Sequence, residues 1–233
     1  MSKNGKEEKV YAVFERISGR YDRMNDLISL GLHRRWKGEL AGRAAALEPR
    51  RVLDVCCGTG DLSLALARAM PGAAVTGLDF SPEMLAVARK RLAAHPADNL
   101  RFLRGNALEL PFPDGSFDCA VISFGLRNLA DYPRAAAELA RVVRPGGWVF
   151  CLDSFYPRSP LVRPFYTLYF KHLVTLLGGR DGAEYRWLYT STRSFLAPAE
   201  LAALFARQGL EECAWRPYLL GAAALHWGRK PAV

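Results

Sequence analysis

The feature that most constrains this chain is the run Arg51-Val-Leu-Asp-Val-Cys-Cys-Gly-Thr-Gly-Asp61, followed by a second apolar run that ends in Asp79. Val52 to Val55 read as a short buried strand. Gly58 and Gly60 let the backbone turn sharply and approach a ligand closely. Leu62 to Ala69 read as a helix, so a small molecule can sit over its N-terminus. The acid lies 19 residues beyond Gly60, at the end of the next strand. Strand, glycine turn, helix, strand and acid form the layout of a nucleoside-binding crevice in a doubly wound sheet, with the acid placed for ribose hydroxyls.

A dinucleotide fingerprint would place a third glycine where this chain has Ser63. Asp54, just before the loop, would oppose a pyrophosphate and welcome a cation. S-adenosyl-L-methionine has a ribose, an adenine, a sulfonium and an ammonium, and no phosphate. It is the expected cofactor, with Asp54, Gly58, Gly60 and Asp79 among its contacts.

Strands are expected near 51–56, 74–79, 100–104, 117–123 and 147–153, with helices near 60–69, 82–94 and 131–143. Their alternation implies an α/β, Rossmann-like doubly wound sheet, mostly parallel, with helices on both faces. Ser81-Pro82-Glu83 reads as a capped helix start, and Pro145-Gly146-Gly147 as a helix stop. Helices near 9–19 and 23–46 precede the sheet. Residues 154–196 break the rhythm with an apolar, aromatic helix at 159–178 and a shorter one at 184–193. A helix at 198–208 and strands at 210–218 and 221–228 close the chain as an antiparallel hairpin. The expectation is one domain over 1–233, with an N-terminal helical lid at about 9–46 and a helical cap at about 154–196.

Half of the 233 residues are apolar, enough for a substantial core. Net charge is +9, which favours anionic partners, yet the bases are scattered. The five cysteines form no C-x-x-C pair, so buried free thiols in a reducing cytosol are expected, and no metal site. The polar start, Met1 to Lys9, does not read as a signal peptide, and no run of 18 apolar residues suggests a spanning helix.

Ligands of open α/β sheets lie beyond the carboxyl ends of the strands, so the loops there hold the candidates. Phe80 either flanks adenine or belongs to the core. Asn106 either reads the adenine edge or shapes a turn. Thr59 either donates to the methionine carboxylate or is a turn threonine. Arg127, with Asn128, follows the apolar run Cys119 to Phe124 and stands where an acceptor oxyanion needs a cation. His33 and His226 are candidate bases, although a lone histidine is more often structural. The aromatic stripe in 155–170 is either core or a shelter for a lipophilic acceptor.

Four blocks carry a family resemblance: Tyr21-Asp-Arg-Met-Asn-Asp26 with Gly31-Leu-His-Arg-Arg-Trp-Lys37; Leu110-Pro-Phe-Pro-Asp-Gly-Ser-Phe-Asp118; Ser123-Phe-Gly-Leu-Arg-Asn128 with Asp131-Tyr132; and Ala224-Leu-His-Trp-Gly-Arg-Lys-Pro231. Over nearly its whole length the chain resembles the menaquinone/ubiquinone biosynthesis C-methyltransferases, class I enzymes that use S-adenosylmethionine. The form Asp54-Val-Cys-Cys-Gly-Thr-Gly60 looks like the menaquinone branch. The resemblance implies cofactor contacts at Thr59, Asp79, Asn106, Ala107 and Ser123. The family usually has Glu where this chain has Asp153.

The implied reaction is methylation of a ring carbon of demethylmenaquinol. Arg127 would ease ionisation of the quinol, and Asn128 and Tyr21 would join the relay. The implied partners are a lipophilic quinol and, transiently, an anionic membrane surface at the cytosolic face; no nucleic acid is expected. Homo-oligomerisation is left open. Rival classes are methylation of a ubiquinone precursor or another small molecule, an RNA methyltransferase, a nicotinamide oxidoreductase and a binding module without catalysis. Ser63 and Asp54 argue against nicotinamide, and the Ser123-Phe-Gly-Leu126 loop lacks the base-reading pattern of many nucleic-acid methyltransferases.

Overall fold

The structure, a computed structural model, describes residues 21–169 and 189–232, with backbone alone for 21–24. Its strands are β1 (Arg51–Val55), β2 (Ala74–Asp79), β3 (Leu100–Arg104), β4 (Phe117–Ser123), β5 (Val143–Ser154), β6 (Glu211–Tyr218) and β7 (Ala223–Arg229). The helices are α1 (Tyr21–Ser29), α2 (Leu32–Ala45), α3 (Asp61–Ala69), α4 (Pro82–Ala94), α5 (Tyr132–Val142), α6 (Arg163–Leu168) and α7 (Pro198–Arg207).

The sheet runs β3-β2-β1-β4-β5-β7-β6. β1 pairs in parallel with both β2 and β4, while β7 is antiparallel to both β5 and β6. The chain therefore leaves β1 toward one edge and returns through β4 on the other side. Their carboxyl ends splay apart there and leave a crevice.

Side-chain alternation explains why the buried stretches of β1 and β4 are apolar on both faces, Asp54 and the terminal Ser123 apart. Val52, Cys119 and Val121 point to the face covered by α2, α3 and α4. Leu53, Val55, Ala120 and Ile122 point to the face covered by α5 and α7. A parallel strand buried on both faces must be apolar on both. α2 contributes Trp36, Leu40, Ala41 and Ala44 to the first of these clusters.

Three expectations change. The single helix expected at 23–46 is two, broken where Leu30 (φ 51°) and Gly31 (φ 75°) adopt left-handed backbone. The helix expected to run through Val143 ends at Val142, and Asp131 caps its start by accepting from the Arg134 amide. Pro145-Gly146-Gly147 is a bulge inside β5, whose register jumps from Phe117–Val143 to Cys119–Trp148. A Cβ on Gly147 would sit 2.5 Å from the Asp118 carbonyl oxygen, so this crossing tolerates no side chain.

Of the helix expected at 159–178, residues 159–169 are described; 159–162 form a turn instead, and helix α6 begins only at Arg163, while residues 189–194 are helical as expected for 184–193. The expected helix at 9–19, residues 170–178 of the next and residues 184–188 of the third lie outside the described residues. The hairpin forms as expected. Its turn holds Leu219, Leu220 and Gly221 in succession at φ 44°, 54° and 89°.

Candidate active site

Left-handed backbone shapes the loop after β1, at Cys56 (φ 55°), Gly58 (φ 54°) and Gly60 (φ 76°). A Cβ on Gly60 would meet Phe102 Cζ at 2.7 Å and Ala88 Cβ at 3.0 Å, so the turn requires glycine twice over. The loop also locks against the one after β4, because a Cβ on Gly125 would lie 2.6 Å from Cys56 Cβ.

Asp79 ends β2 and is buried. Its Oδ2 accepts from the Gly58 amide at 2.8 Å and its Oδ1 from the Ser81 amide at 3.0 Å. Burial pushes its carboxyl above the usual range, and these amide bonds pull the other way. Ser81 caps α4 as expected, accepting from the Met84 amide at 3.1 Å. Asp79 is thus the clasp that joins the glycine loop to the start of α4.

Asp54 lies inside β1 and accepts from Ser63 Oγ at 2.6 Å. Burial pushes it up to about 7. Ser63 therefore occupies the third fingerprint position as the partner of this acid. Thr59 is buried and accepts from Arg91 Nη1 at 3.2 Å, and it lines none of the hollows described below. Asn106 Oδ1 accepts from the Leu108 amide at 2.9 Å, which is the turn role.

Two adjoining hollows occupy the crevice. The smaller, 40 Å³, touches Gly58, Asp79, Phe80, Ser123 and Asn128. The larger, 550 Å³, shares Asp79, Phe80 and Asn128 and adds Asn106 and Ala107. Asn128 is buried; its Nδ2 donates to the Phe124 carbonyl at 3.1 Å, while Oδ1 has no partner among the described residues. A buried acceptor without a donor is costly unless a ligand supplies one. Carboxylate, aromatic face and amide oxygen together fit an adenosyl group. Among the described residues no cluster of three metal-ligating side chains occurs.

Phe124 (φ 56°) walls the smaller hollow and also a second, mostly apolar cavity of 220 Å³. Its polar lining includes Arg127, His33, Ser29 and Tyr166. Arg127 Nη1 donates to Asp153 Oδ1 and to the Phe124 carbonyl, so Asp153 is its anchor. Lys37 bonds both oxygens of Asp61, at 2.8 and 2.7 Å, with Nζ 5.6 Å from the centre of the Phe124 ring. Tyr169 Oη donates to the Leu27 carbonyl at 2.7 Å and ties the segment after α6 to α1 across this cavity. Burial pushes the Tyr166 hydroxyl up to about 12, so it stays protonated.

His33, a candidate base in the sequence, lines this cavity. Ser29 Oγ spends its proton on the Asn25 carbonyl at 2.6 Å. Toward His33 Nδ1, 2.8 Å away, that oxygen can only accept. Nδ1 therefore carries the ring proton and Nε2 the lone pair. Burial first, and then the charge of Lys37, push His33 below its ordinary value, so the ring is neutral at pH 7. Asp26 Oδ1 stands 3.9 Å from Nδ1, placed to support a positive ring. The Ser29/His33 spacing of four residues is the sequence signal for this pair. His226 is structural. It is buried, its Nε2 donates to the Pro198 carbonyl at 2.9 Å, and burial pushes it down to about 4. The side chain of Tyr21 lies outside the described residues.

A mostly parallel sheet in this order, with a crevice lined by Asp79 at the β1–β4 switch, defines a class I S-adenosylmethionine-dependent methyltransferase. Solved structures of that fold superpose on it. A SAM-dependent methyltransferase from Thermotoga maritima gives a TM-score of 0.63 at 23% identity, covering 94% of this chain and 99% of that one. One from Aquifex aeolicus gives 0.56 at 18%, covering 77% and 81%. The chain belongs to the ubiE/COQ5 methyltransferase family, whose sequence profile matches residues 2–230. It is 43% identical over 229 residues to the demethylmenaquinone methyltransferase of Geobacillus kaustophilus, covering 97% of this chain and 98% of that one. To the protein of the same name from Bacillus cytotoxicus it is 44% identical over 230 residues, covering 97% of each.

Proposed function

We propose that this methyltransferase converts demethylmenaquinol to menaquinol by methylating a ring carbon, at the cytosolic face of a membrane. The observation that carries this reading is the shared wall at Phe124. It sets a crevice suited to an adenosyl group against an apolar cavity whose described lining holds one cation, Arg127, and one neutral base, His33. The names of the relatives support the choice of quinol.

When bound, S-adenosylmethionine supplies an electrophilic methyl group on its sulfonium. Asp79 takes the ribose hydroxyls, Phe80 covers one face of the adenine, and Asn128 Oδ1 accepts from a ligand N–H. Gly58, Thr59 and Gly60 hold the loop in the shape that admits the ligand, with Asn106, Ala107 and Ser123 around it. Asp54 sets the polarity behind it.

A quinol hydroxyl resembles a phenol, with a pKa near ~10. His33 Nε2 removes that proton while the ring carbon attacks, since a base pushed below 6.5 cannot ionise a phenol fully beforehand. Arg127 meets the charge that develops on the oxygen. The methylated carbon then loses its own hydrogen to restore the aromatic ring, and the oxygen recovers a proton from His33. One proton leaves overall. Ser29 and Asp26 hold the imidazole in the working tautomer. Tyr21 is assigned to the same relay.

Incubating the protein with methyl-labelled S-adenosylmethionine and a panel of reduced naphthoquinones and benzoquinones tests this. Label should enter the ring of demethylmenaquinol, seen by mass spectrometry. Label in a benzoquinol alone would reassign the substrate to the ubiquinone branch.

A further inference from the structure

Six large apolar side chains, between 48% and 80% exposed, gather at the mouth of the apolar cavity or on the segment beside it. Leu30, Phe165, Leu219 and Leu220 line it. Leu161 and Leu168 stand four residues before and three after Phe165, which puts all three on one side of α6 and its leading turn. Only two other large apolar side chains among the described residues, Leu47 and Trp215, are exposed.

Backbone conformation singles out the same place. Leu30, Leu219 and Leu220 have φ of 51°, 44° and 54°. An exposed leucine gains nothing from burial, and left-handed backbone strains it further. Residues that bear both costs and border one opening mark a surface kept for contact. Of the basic side chains near them in sequence, Arg34, Arg158 and Arg216 pair with Asp26, Glu200 and Glu39, while Arg163, between Leu161 and Phe165, donates to the Pro157 carbonyl at 3.2 Å. Among the described residues no helix is long and apolar enough to cross a membrane.

Given the quinol assigned above, the volume decides what meets this rim. A cavity of 220 Å³ takes a fused two-ring head group and leaves no room for a chain of isoprene units. The tail must leave through the leucine-lined mouth. We propose that the rim docks into the lipid of a bilayer, chiefly by apolar contact, so that the quinol ring enters the cavity while its tail stays in the membrane. Charge assists the approach and is secondary to the leucines.

Vesicle flotation with the full chain tests this. The wild type should float with phosphatidylcholine vesicles and stay bound in high salt. The variant Leu161→Asp/Leu168→Asp changes two positions outside the cavity lining and should bind at least about tenfold more weakly, since each substitution removes a buried leucine from lipid. Unchanged binding by the variant, or wild-type binding only to anionic vesicles and lost in salt, overturns the proposal. A rim-dependent dimer in sedimentation, with no vesicle binding, would give the surface to a second copy instead. A soluble, tail-less demethylmenaquinol separates this from the substrate assignment. Both proteins should methylate it; if neither does while the wild type still floats, the substrate assignment falls and the docking surface stands.

Discussion

Asp153 holds Arg127 at two points. Its Oδ1 lies 2.5 Å from Nη1, and its Oδ2 accepts from the Arg127 amide at 3.1 Å. The acid is 0% exposed and the arginine 6%. The position of Arg127 at the cavity wall is thus fixed from the end of β5, and its negative partner offsets part of the field it would offer a quinol oxygen under the proposed mechanism.

Removing the arginine strands a buried carboxylate, so Arg127→Met should destabilise the fold by about 3–5 kcal/mol. Turnover should fall by about 100-fold or more, the loss of one oxyanion partner. Arg127→Met/Asp153→Leu should recover most of the stability in urea unfolding and none of the turnover. Recovery of both would make the pair structural alone.

Asp79→Ala removes the clasp between the glycine loop and α4 together with the proposed ribose acceptor. Affinity for S-adenosylhomocysteine should drop by roughly 1.5–3 kcal/mol in calorimetric titration, the worth of a charge-assisted bond. Wild-type affinity would take Asp79 out of the site.

A proton acceptor at His33 must be neutral to work. Its pKa is lowered from 6.5 by burial and by Lys37, so kcat/KM should rise with pH along a limb below 6.5 and level off above it. His33→Ala should cost about 100-fold in kcat and erase that limb. Ser29→Ala should keep the limb and lose less, because it frees the tautomer without removing the base. Steady-state rates from acid to neutral pH decide it; an intact limb in His33→Ala gives the proton to another group.

Asp54 works in the opposite direction. Its folded pKa of about 7 lies above the ordinary 3.8, so the folded chain holds this proton more tightly than the unfolded one. Its contribution to stability is full below 3.8 and is lost as pH rises through 7. Asp54→Asn keeps the partner for Ser63 and never ionises. It should be the more stable protein above pH 7, by roughly 4 kcal/mol, and lose that margin toward acid. Urea unfolding at both ends shows it; a pH-independent difference would mean Asp54 does not titrate in the fold.

Much of the architecture was legible because its signals are local. The glycine turn, the acid closing β2 and the Ser81 cap each span a few residues, and the structure has all three. The break at Leu30–Gly31 was hidden because leucine gives no hint of left-handed backbone. The bulge in β5 carries the same Pro-Gly-Gly letters as a helix stop, and only pairing with β4 tells them apart. The Arg127–Asp153 pair joins residues 26 apart along the chain, and no spacing rule reaches that far. His33 gained its meaning from a cavity that α1, α2, α6 and the hairpin turn build together.

The contact between Cys56 and Gly125 binds two distant positions into one evolutionary unit. With a Cβ at 125 only 2.6 Å from the Cys56 Cβ, position 125 cannot gain a side chain while position 56 keeps one. Across the ubiE/COQ5 lineage, a branch that lost the glycine after β4 would have had to empty position 56 first. The left-handed backbone at 56 makes glycine its easiest replacement. The two loops should therefore carry a covarying signature, with the order of historical substitutions imposed by sterics.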